Sequence, residues 1–222
     1  MKNFYSTLKS IITSNEPQKT FYSEYKDEFK NELDKIIPEI QISIETPQRS
    51  LWHIYPVFDH ILESIKEVNA LSQSLSKGEQ DMLSYIMLFH DLGKPKCRKE
   101  KIKNGQVCDT FHDHNIESEK IARKTLPVLG FAKKLDIMCK LILDHDFFIA
   151  ISNDFYDNEK DITIIQNAVN KKIEELNNFG DGKHLMYLLC LIGMADNLAQ
   201  NLKLSSDTIY VINIALKYLD SI

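Results

Sequence analysis

Cysteine is scarce in this sequence, and its four cysteines form no Cys-x-x-Cys pair. Small disulfide-stabilised domains are shorter and much richer in cysteine, and structural zinc sites usually draw on cysteines two to four residues apart. The sequence therefore excludes a disulfide scaffold and predicts free thiols in a reducing compartment. The residues concerned are Cys97, Cys108, Cys139 and Cys190.

A long hydrophobic segment is also missing. The longest nearly continuous apolar stretch, residues 186–195, is far shorter than the roughly 20 residues that a membrane-spanning helix requires. The first residues, MKNFYSTLKSIITSNE, contain neither an apolar core nor a small-residue cleavage site, so no secretory signal is predicted. We therefore expect a cytoplasmic protein with no membrane partner.

Positive charge is not in excess. The chain of 222 residues has 27 Lys and Arg against 32 Asp and Glu, a net charge of −5. A protein of this charge is not expected to form a stable nucleic-acid complex, although a local basic patch remains compatible with a phosphate-bearing substrate. The phosphate-binding patterns GxxxxGK[ST] and GxGxxG do not occur, which argues against P-loop and dinucleotide folds.

Glycine and proline are sparse, with 7 and 6 residues, and alternating Val/Ile/Thr runs are nearly absent. Apolar residues instead recur three and four positions apart along most of the chain, which predicts an all-α fold. Asn104-Gly105 is a hairpin signal, so we expect one short β-hairpin or loop near residues 95–111. Ser206-Asp207 resembles an N-cap, which predicts a last helix over residues 205–222.

Histidines and aspartates occur on these predicted helices in an informative pattern. Asp196 is costly to bury among its apolar neighbours unless it is paired or binds a metal. Helices of a bundle can direct imidazoles and carboxylates at one point, and such donors bind divalent transition metals. Packed or surface side chains are the alternative, and spacing alone does not decide between the two. The candidates are His60, His90, Asp91, His114, His145 and Asp196.

The order of His60, His90-Asp91 and Asp196 resembles the H…HD…D signature of HD-domain metal-dependent phosphohydrolases. This resemblance spans roughly residues 50–200 and rests on three sequence segments, VFDHIL, LFHDLGKPKCRKE and MADNLAQN. It is nearest to the HD domains of bacterial tRNA nucleotidyltransferases and poly(A) polymerases, although no nucleotidyltransferase head precedes it. The resemblance implies an HD-type helical bundle, and we expect residues 1–222 to form a single domain of this type. We divide it into an N-terminal helical hairpin (1–45), the HD core (50–200) and the C-terminal helix (205–222).

The resemblance also implies a ligand set for one or two divalent ions (Fe, Mn, Co, Ni, Zn or Mg). One ion would be bound by His60, His90, Asp91 and Asp196, and a second by His114 and His145 with Asp91 bridging both. His112 is an alternative to His114, because both lie in the segment FHDH.

The activity implied is metal-dependent hydrolysis of a phosphate ester of a nucleotide or a similar small molecule. Asp91 would hold the ions and orient the water, and Lys94 would meet the developing phosphoryl charge. Lys94 and Arg98, in a basic loop, would bind the substrate. A nucleotide- or RNA-binding regulatory module without turnover is the alternative, and a homodimer is compatible with either.

Neighbours of the candidate ligands have two interpretations each. Trp52 and His53 would wall a pocket or pack in the core. The three aspartates beside candidate histidines would orient the imidazoles or remain surface charges. These aspartates are Asp59, Asp144 and Asp146.

Overall fold

The computed structural model describes residues 3–103 and 105–222. Helices dominate the described residues, and the predicted all-α class is confirmed. The elements, in chain order, are α1 (Phe4–Ile12), α2 (Pro17–Glu24), α3 (Asp27–Ile36), α4 (Glu39–Glu45), α5 (Val57–Leu71), α6 (Lys77–Phe89), α7 (Lys94–Cys97), β1 (Lys99–Lys103), β2 (Gln106–Thr110), α8 (His114–Thr125), a 3-10 turn (Ala132–Lys134), α9 (Leu135–Leu143), α10 (Phe147–Asp157), α11 (Ile162–Leu176), α12 (Gly182–Leu198) and α13 (Leu202–Ser221).

Helix α12 forms the centre of the bundle. It packs against α5, α6, α11 and α13, and nearly all of its side chains from Leu185 onward are buried. A helix that is apolar on all sides is stable only in such a surrounded position. Its one carboxylate in the buried stretch, Asp196, is thereby carried into the interior.

Side-chain caps define where the main helices begin. Ser76 and Glu79 form a reciprocal capping box at the start of α6. The Asp181 side chain accepts a hydrogen bond from the backbone N–H of His184 at the start of α12. These caps satisfy backbone donors that would otherwise have no partner at the helix ends.

The predicted start of the last helix is wrong. Helix α13 begins at Leu202, because the Asn201 side chain caps it by accepting from the Lys203 N–H. Ser206 and Asp207 lie inside the helix. The Asn201 backbone N–H also donates to the Trp52 carbonyl at 2.8 Å, which fixes the loop before α5 against this helix start.

The predicted hairpin is confirmed. Strands β1 and β2 pair antiparallel, with Lys99 opposite Thr110 and Lys103 opposite Gln106. Gly105 has φ +75°, a left-handed conformation that glycine adopts without strain. Asn104, the other half of the turn signal, lies outside the described residues.

The predicted N-terminal hairpin over residues 1–45 is wrong, since the described part of this segment forms four short helices. Pro17 is the first residue of α2 and Pro38 caps α4, so each proline starts a new helix. Successive short helices keep an apolar period of three and four, which explains why they look like longer ones in the sequence. Three of them, α1, α2 and α4, pack on α5.

Within residues 3–103 and 105–222, no helix combines the length and the apolar character needed to cross a membrane.

Candidate metal centre

Five segments bring the predicted ligands to one place in the bundle. His60 lies in α5, the His90-Asp91 pair ends α6, His114 begins α8, His145 follows α9, and Asp196 lies in α12. These elements pack directly on one another, so side chains far apart in sequence become neighbours.

Gly93 permits the close approach of two of these segments. A Cβ at this position would collide with the His114 carbonyl oxygen and would lie 2.6 Å from the Ser118 nitrogen. The Gly93 N–H also donates to the Ser118 hydroxyl at 2.9 Å. Glycine therefore sets the start of α8 directly against the turn that carries Asp91.

Four of the residues form one donor group. The Nε2 atom of His60 lies 2.8 Å from Asp196 Oδ1 and 3.3 Å from Asp91 Oδ2. The Nε2 atom of His90 lies 3.3 Å from Asp91 Oδ2 and 3.5 Å from Asp196 Oδ1. One donor atom from each residue lies within 4.8 Å of the others, which is close enough for a single coordination sphere.

The other oxygen of Asp91 faces a second donor group. Its Oδ1 atom lies 3.1 Å from His114 Nε2 and 3.7 Å from His145 Nε2, and the two imidazole nitrogens are 3.1 Å apart. These donors also lie within 4.8 Å of one another. Asp91 thus presents one carboxylate oxygen to each group, as a bridging ligand does.

All four imidazoles are oriented in the same way. The Nδ1–H of His90 donates to the Met87 carbonyl at 2.7 Å, and that of His145 donates to the Ile142 carbonyl at 2.7 Å. His114 does the same with Phe111, and His60 faces Ala199 at 3.4 Å. A carbonyl only accepts, so the proton is placed on Nδ1 and the Nε2 lone pair is left for a metal.

Three buried ligand atoms, His90 Nε2 and both carboxylate oxygens of Asp91, make no hydrogen bond of proper geometry, although Asp91 Oδ2 forms an ion pair with Lys94. Such atoms are rare in folded proteins, because burying them without partners costs free energy. All three face the points where the two groups converge. The donor set therefore fits divalent ions, and a bound cation would give each of these atoms a partner.

The charges of the first group are strongly coupled. Burial alone would raise the pKa of Asp91, but Lys94 and His90 hold it well below its usual range. Burial would lower the pKa of His90, yet Asp91 and Asp196 raise it to about 10. Without a metal, a proton on His90 therefore helps to balance the two carboxylates, and a cation would replace that proton.

Lys94 is buried beside this group. Its ammonium lies 2.6 Å from Asp91 Oδ2 and donates to the Gln48 side-chain oxygen at 2.8 Å. Arg98, by contrast, pairs with Asp109 at 2.9 Å and with Glu100 at 3.0 Å. It does not line the cavity described next, and its role as a substrate contact stays a prediction.

A cavity of about 670 Å³ opens over both donor groups. Trp52 and His53 belong to its wall, as one of their two interpretations predicts. Burial, together with the neighbouring Lys94, lowers the pKa of His53 to about 2, so its imidazole is neutral. Exposed His112 also lines the cavity, but among the described residues only His114 of the FHDH pair belongs to a donor group.

Asp146 is the flanking aspartate that contacts imidazoles, and the sequence alone does not distinguish it from Asp59 and Asp144. Its carboxylate lies 3.4 Å from both His114 and His145. Asp59 instead accepts from the Tyr22 hydroxyl at 2.7 Å, and Asp144 pairs with lysines on α9 and α11. Only one of the three flanking aspartates therefore contacts imidazoles.

Comparison with protein families gives one match, to the family described as HD domain, over residues 57–178. The match covers 122 of the 222 residues, more than half of the chain, and includes five of the six donor residues. Asp196, predicted from the sequence, lies beyond the match and joins the first donor group in the structure. No curated protein matches the chain.

Proposed function

The chain belongs to the HD domain family, whose members are generally metal-dependent phosphohydrolases. We propose that this protein hydrolyses a phosphate ester of a nucleotide or a similar small molecule. The observation that carries the proposal is the position of Asp91, whose two oxygens face two separate donor groups at the base of one cavity.

Each donor group has the composition of a transition-metal site. His60, His90, Asp91 and Asp196 would hold one ion, and His114 and His145 would hold a second together with Asp91. Imidazole-rich sets favour Fe, Mn, Co, Ni or Zn, whereas Mg prefers oxygen donors. Divalent ions in such sites supply the lowered water pKa and the phosphoryl polarisation that ester hydrolysis requires.

The protein's own groups contribute position and charge. Lys94 holds a positive charge at the base of the cavity, where it would stabilise negative charge on a phosphoryl oxygen. Gln48 and Asp91 fix the ammonium from two sides, so the charge is preorganised. Asp146, partly exposed beside His114 and His145, would accept a proton from the attacking water.

The proposal is tested by metal analysis of the purified protein and by assays of metal-depleted protein supplied with each divalent ion. p-Nitrophenyl phosphate and bis-p-nitrophenyl phosphate report monoesterase and diesterase activity. We expect turnover with at least one ion and its loss with chelator. The absence of both metal and turnover would contradict the proposal, and ligand binding without product would favour a regulatory module.

A matched pair of variants separates ligation from mere proximity. His114→Ala removes a donor that lies 3.1 Å from Asp91, so we expect the loss of about one ion per chain. His112→Ala removes an exposed imidazole two residues away, and it is expected to retain the wild-type metal content. Equal metal loss in both variants would contradict the assignment of His114.

A further inference from the structure

The cavity over the donor groups is poor in positive charge. Lys94 is the only Lys or Arg that lines it within the described parts of the chain. Seven aspartates line the same cavity, and Arg is absent from its described wall. These aspartates are Asp91, Asp109, Asp113, Asp146, Asp157, Asp196 and Asp207.

Nearby cations that could have entered the cavity are held elsewhere by ion pairs. Arg49 and Arg98 both bind the Asp109 carboxylate at 2.9 Å, and both also contact Glu100. Lys96 pairs with Glu117 at 2.5 Å. Two cations of the basic loop predicted to attract phosphate, Lys96 and Arg98, are therefore paired with carboxylates and do not line the cavity.

The wall formed by α10 carries negative charge away from the donor groups. Helix α10 starts directly after Asp146 and has 11 residues, so it runs for roughly 16 Å. Its far end contributes Tyr156 and Asp157 to the cavity, and Asp207 joins them from α13. Burial and the neighbouring Asp207 carboxylate raise the pKa of Tyr156, and both aspartates are exposed.

The charge balance of the loaded site favours one phosphoryl group. Counting only the groups that contact the donor imidazoles or Asp91, two divalent ions and Lys94 would bring five positive charges, against three negative charges from Asp91, Asp196 and Asp146. The surplus of two matches one phosphomonoester dianion. A triphosphate would bring about twice that charge, and its outer phosphates would approach Asp157 and Asp207. Among the described residues no lysine or arginine lines the cavity there, and the ammonium of Lys160 lies over the Tyr156 ring, 5.1 Å from its centre.

We infer that the substrate carries a single phosphomonoester group. We further infer that its organic part is uncharged or cationic and presents hydroxyl or amino donors to the wall formed by Tyr156, Asp157 and Asp207. Carboxylates accept such hydrogen bonds and repel anions, so one wall would both recognise the organic part and exclude polyphosphates. The inference rests on the proposed function.

Two matched sets of ligands test it. Adenosine mono-, di- and triphosphate differ in the number of phosphates, and glycerol 3-phosphate differs from 3-phosphoglycerate by a carboxylate. Inhibition of p-nitrophenyl phosphate hydrolysis gives the relative affinities in the presence of excess divalent ion. We expect the less charged member of each set to bind about tenfold more tightly. Tighter binding of the triphosphate, or faster hydrolysis of bis-p-nitrophenyl phosphate than of the monoester, overturns the inference.

Charge variants show whether the wall formed by Tyr156, Asp157 and Asp207 causes the weaker binding of the triphosphate. In Asp157→Asn/Asp207→Asn the ratio of triphosphate to monophosphate affinity should rise about threefold to tenfold. Asp154→Asn is the control, because Asp154 is exposed on the same helix and does not line the cavity. An unchanged ratio in the double variant overturns the role given to this wall.

A binding measurement separates this inference from the proposed function. Trp52 is the only tryptophan in the sequence and lines the cavity, so its fluorescence reports occupancy without turnover. If no ester is hydrolysed but monophosphates still bind more tightly than triphosphates, the proposed function fails and the charge inference stands. Tighter triphosphate binding by fluorescence overturns the inference whatever the activity.

Discussion

Replacing Lys94 with methionine should destabilise the metal-free protein far more than the metal-loaded one. The ammonium is buried and lies 2.6 Å from Asp91 Oδ2, so its loss leaves a buried carboxylate without its nearest cation. Breaking a buried ion pair costs about 3–5 kcal/mol. We expect about 2–3 kcal/mol here, because His90, with its pKa raised to about 10, remains charged at neutral pH and partly compensates Asp91.

In the metal-loaded protein the ions themselves balance Asp91, and the same substitution should cost less than about 1 kcal/mol. Urea unfolding with chelator and with saturating metal measures both values. By linkage, a difference of about 2 kcal/mol means that Lys94→Met binds metal about thirtyfold more tightly than the wild type. The variant should nevertheless lose turnover, because it lacks the positive charge that meets the phosphoryl group.

Lys96→Met is the control for this experiment. Lys96 is largely exposed and pairs with Glu117 on the surface, so its replacement should cost less than about 1 kcal/mol in either form. Equal destabilisation of Lys94→Met with and without metal would refute the reasoning, since it would mean that no bound cation takes over the role of the ammonium.

Two further predictions concern the framework around the site. Burial opposes ionisation of Asp109, but Arg49 and Arg98 lower its pKa from 3.8 to about 2. The charged carboxylate therefore stabilises the fold fully above pH 4, and this contribution is lost as the pH falls through 2. Asp109→Asn should therefore lower the free energy of unfolding by about 1–2 kcal/mol at pH 7, and most of this difference from the wild type should be lost at pH 2. Gly93→Ala should cost about 2–4 kcal/mol and reduce metal content, because a Cβ would push against the start of α8, whereas Gly78→Ala meets no atom within 4 Å and should be neutral or slightly stabilising. Equal unfolding free energies for the two glycine variants would contradict this account of Gly93.

The sequence predicts the fold class well because the relevant signals are local. An apolar period of three and four, with few glycines and prolines, specifies helices whatever they pack against. The turn at Asn104-Gly105 likewise specifies a hairpin from adjacent residues alone. Element boundaries are less predictable, since the start of α13 depends on Asn201, whose backbone also bonds to a distant loop.

The residues of the candidate site also differ in how well the sequence predicts them. Asp196 was predictable, because a carboxylate inside an otherwise apolar helix requires a partner. Asp146 could not be singled out from the sequence, because Asp59 and Asp144 also lie next to histidines in similar sequence segments. What separates the three is tertiary packing, which gives Asp59 a tyrosine partner and Asp144 two lysines.

Tertiary packing also determines which carboxylates pair with the basic loop. Spacing alone shows several cations after Lys94 and suggests a phosphate-binding surface. In the folded chain, Arg98 shares Asp109 with Arg49, a residue about 50 positions earlier. No local pattern in the sequence predicts that ion-pair network.

The account depends most on Asp91 as a ligand shared by two ions, and metal content tests this directly. Elemental analysis of the wild-type protein, reconstituted with a transition metal and freed of excess, should give about two ions per chain. Asp91→Asn should lose most of both ions, while remaining folded by circular dichroism. A wild-type protein without bound metal, or a folded Asp91→Asn variant that keeps both ions, would contradict the central claim.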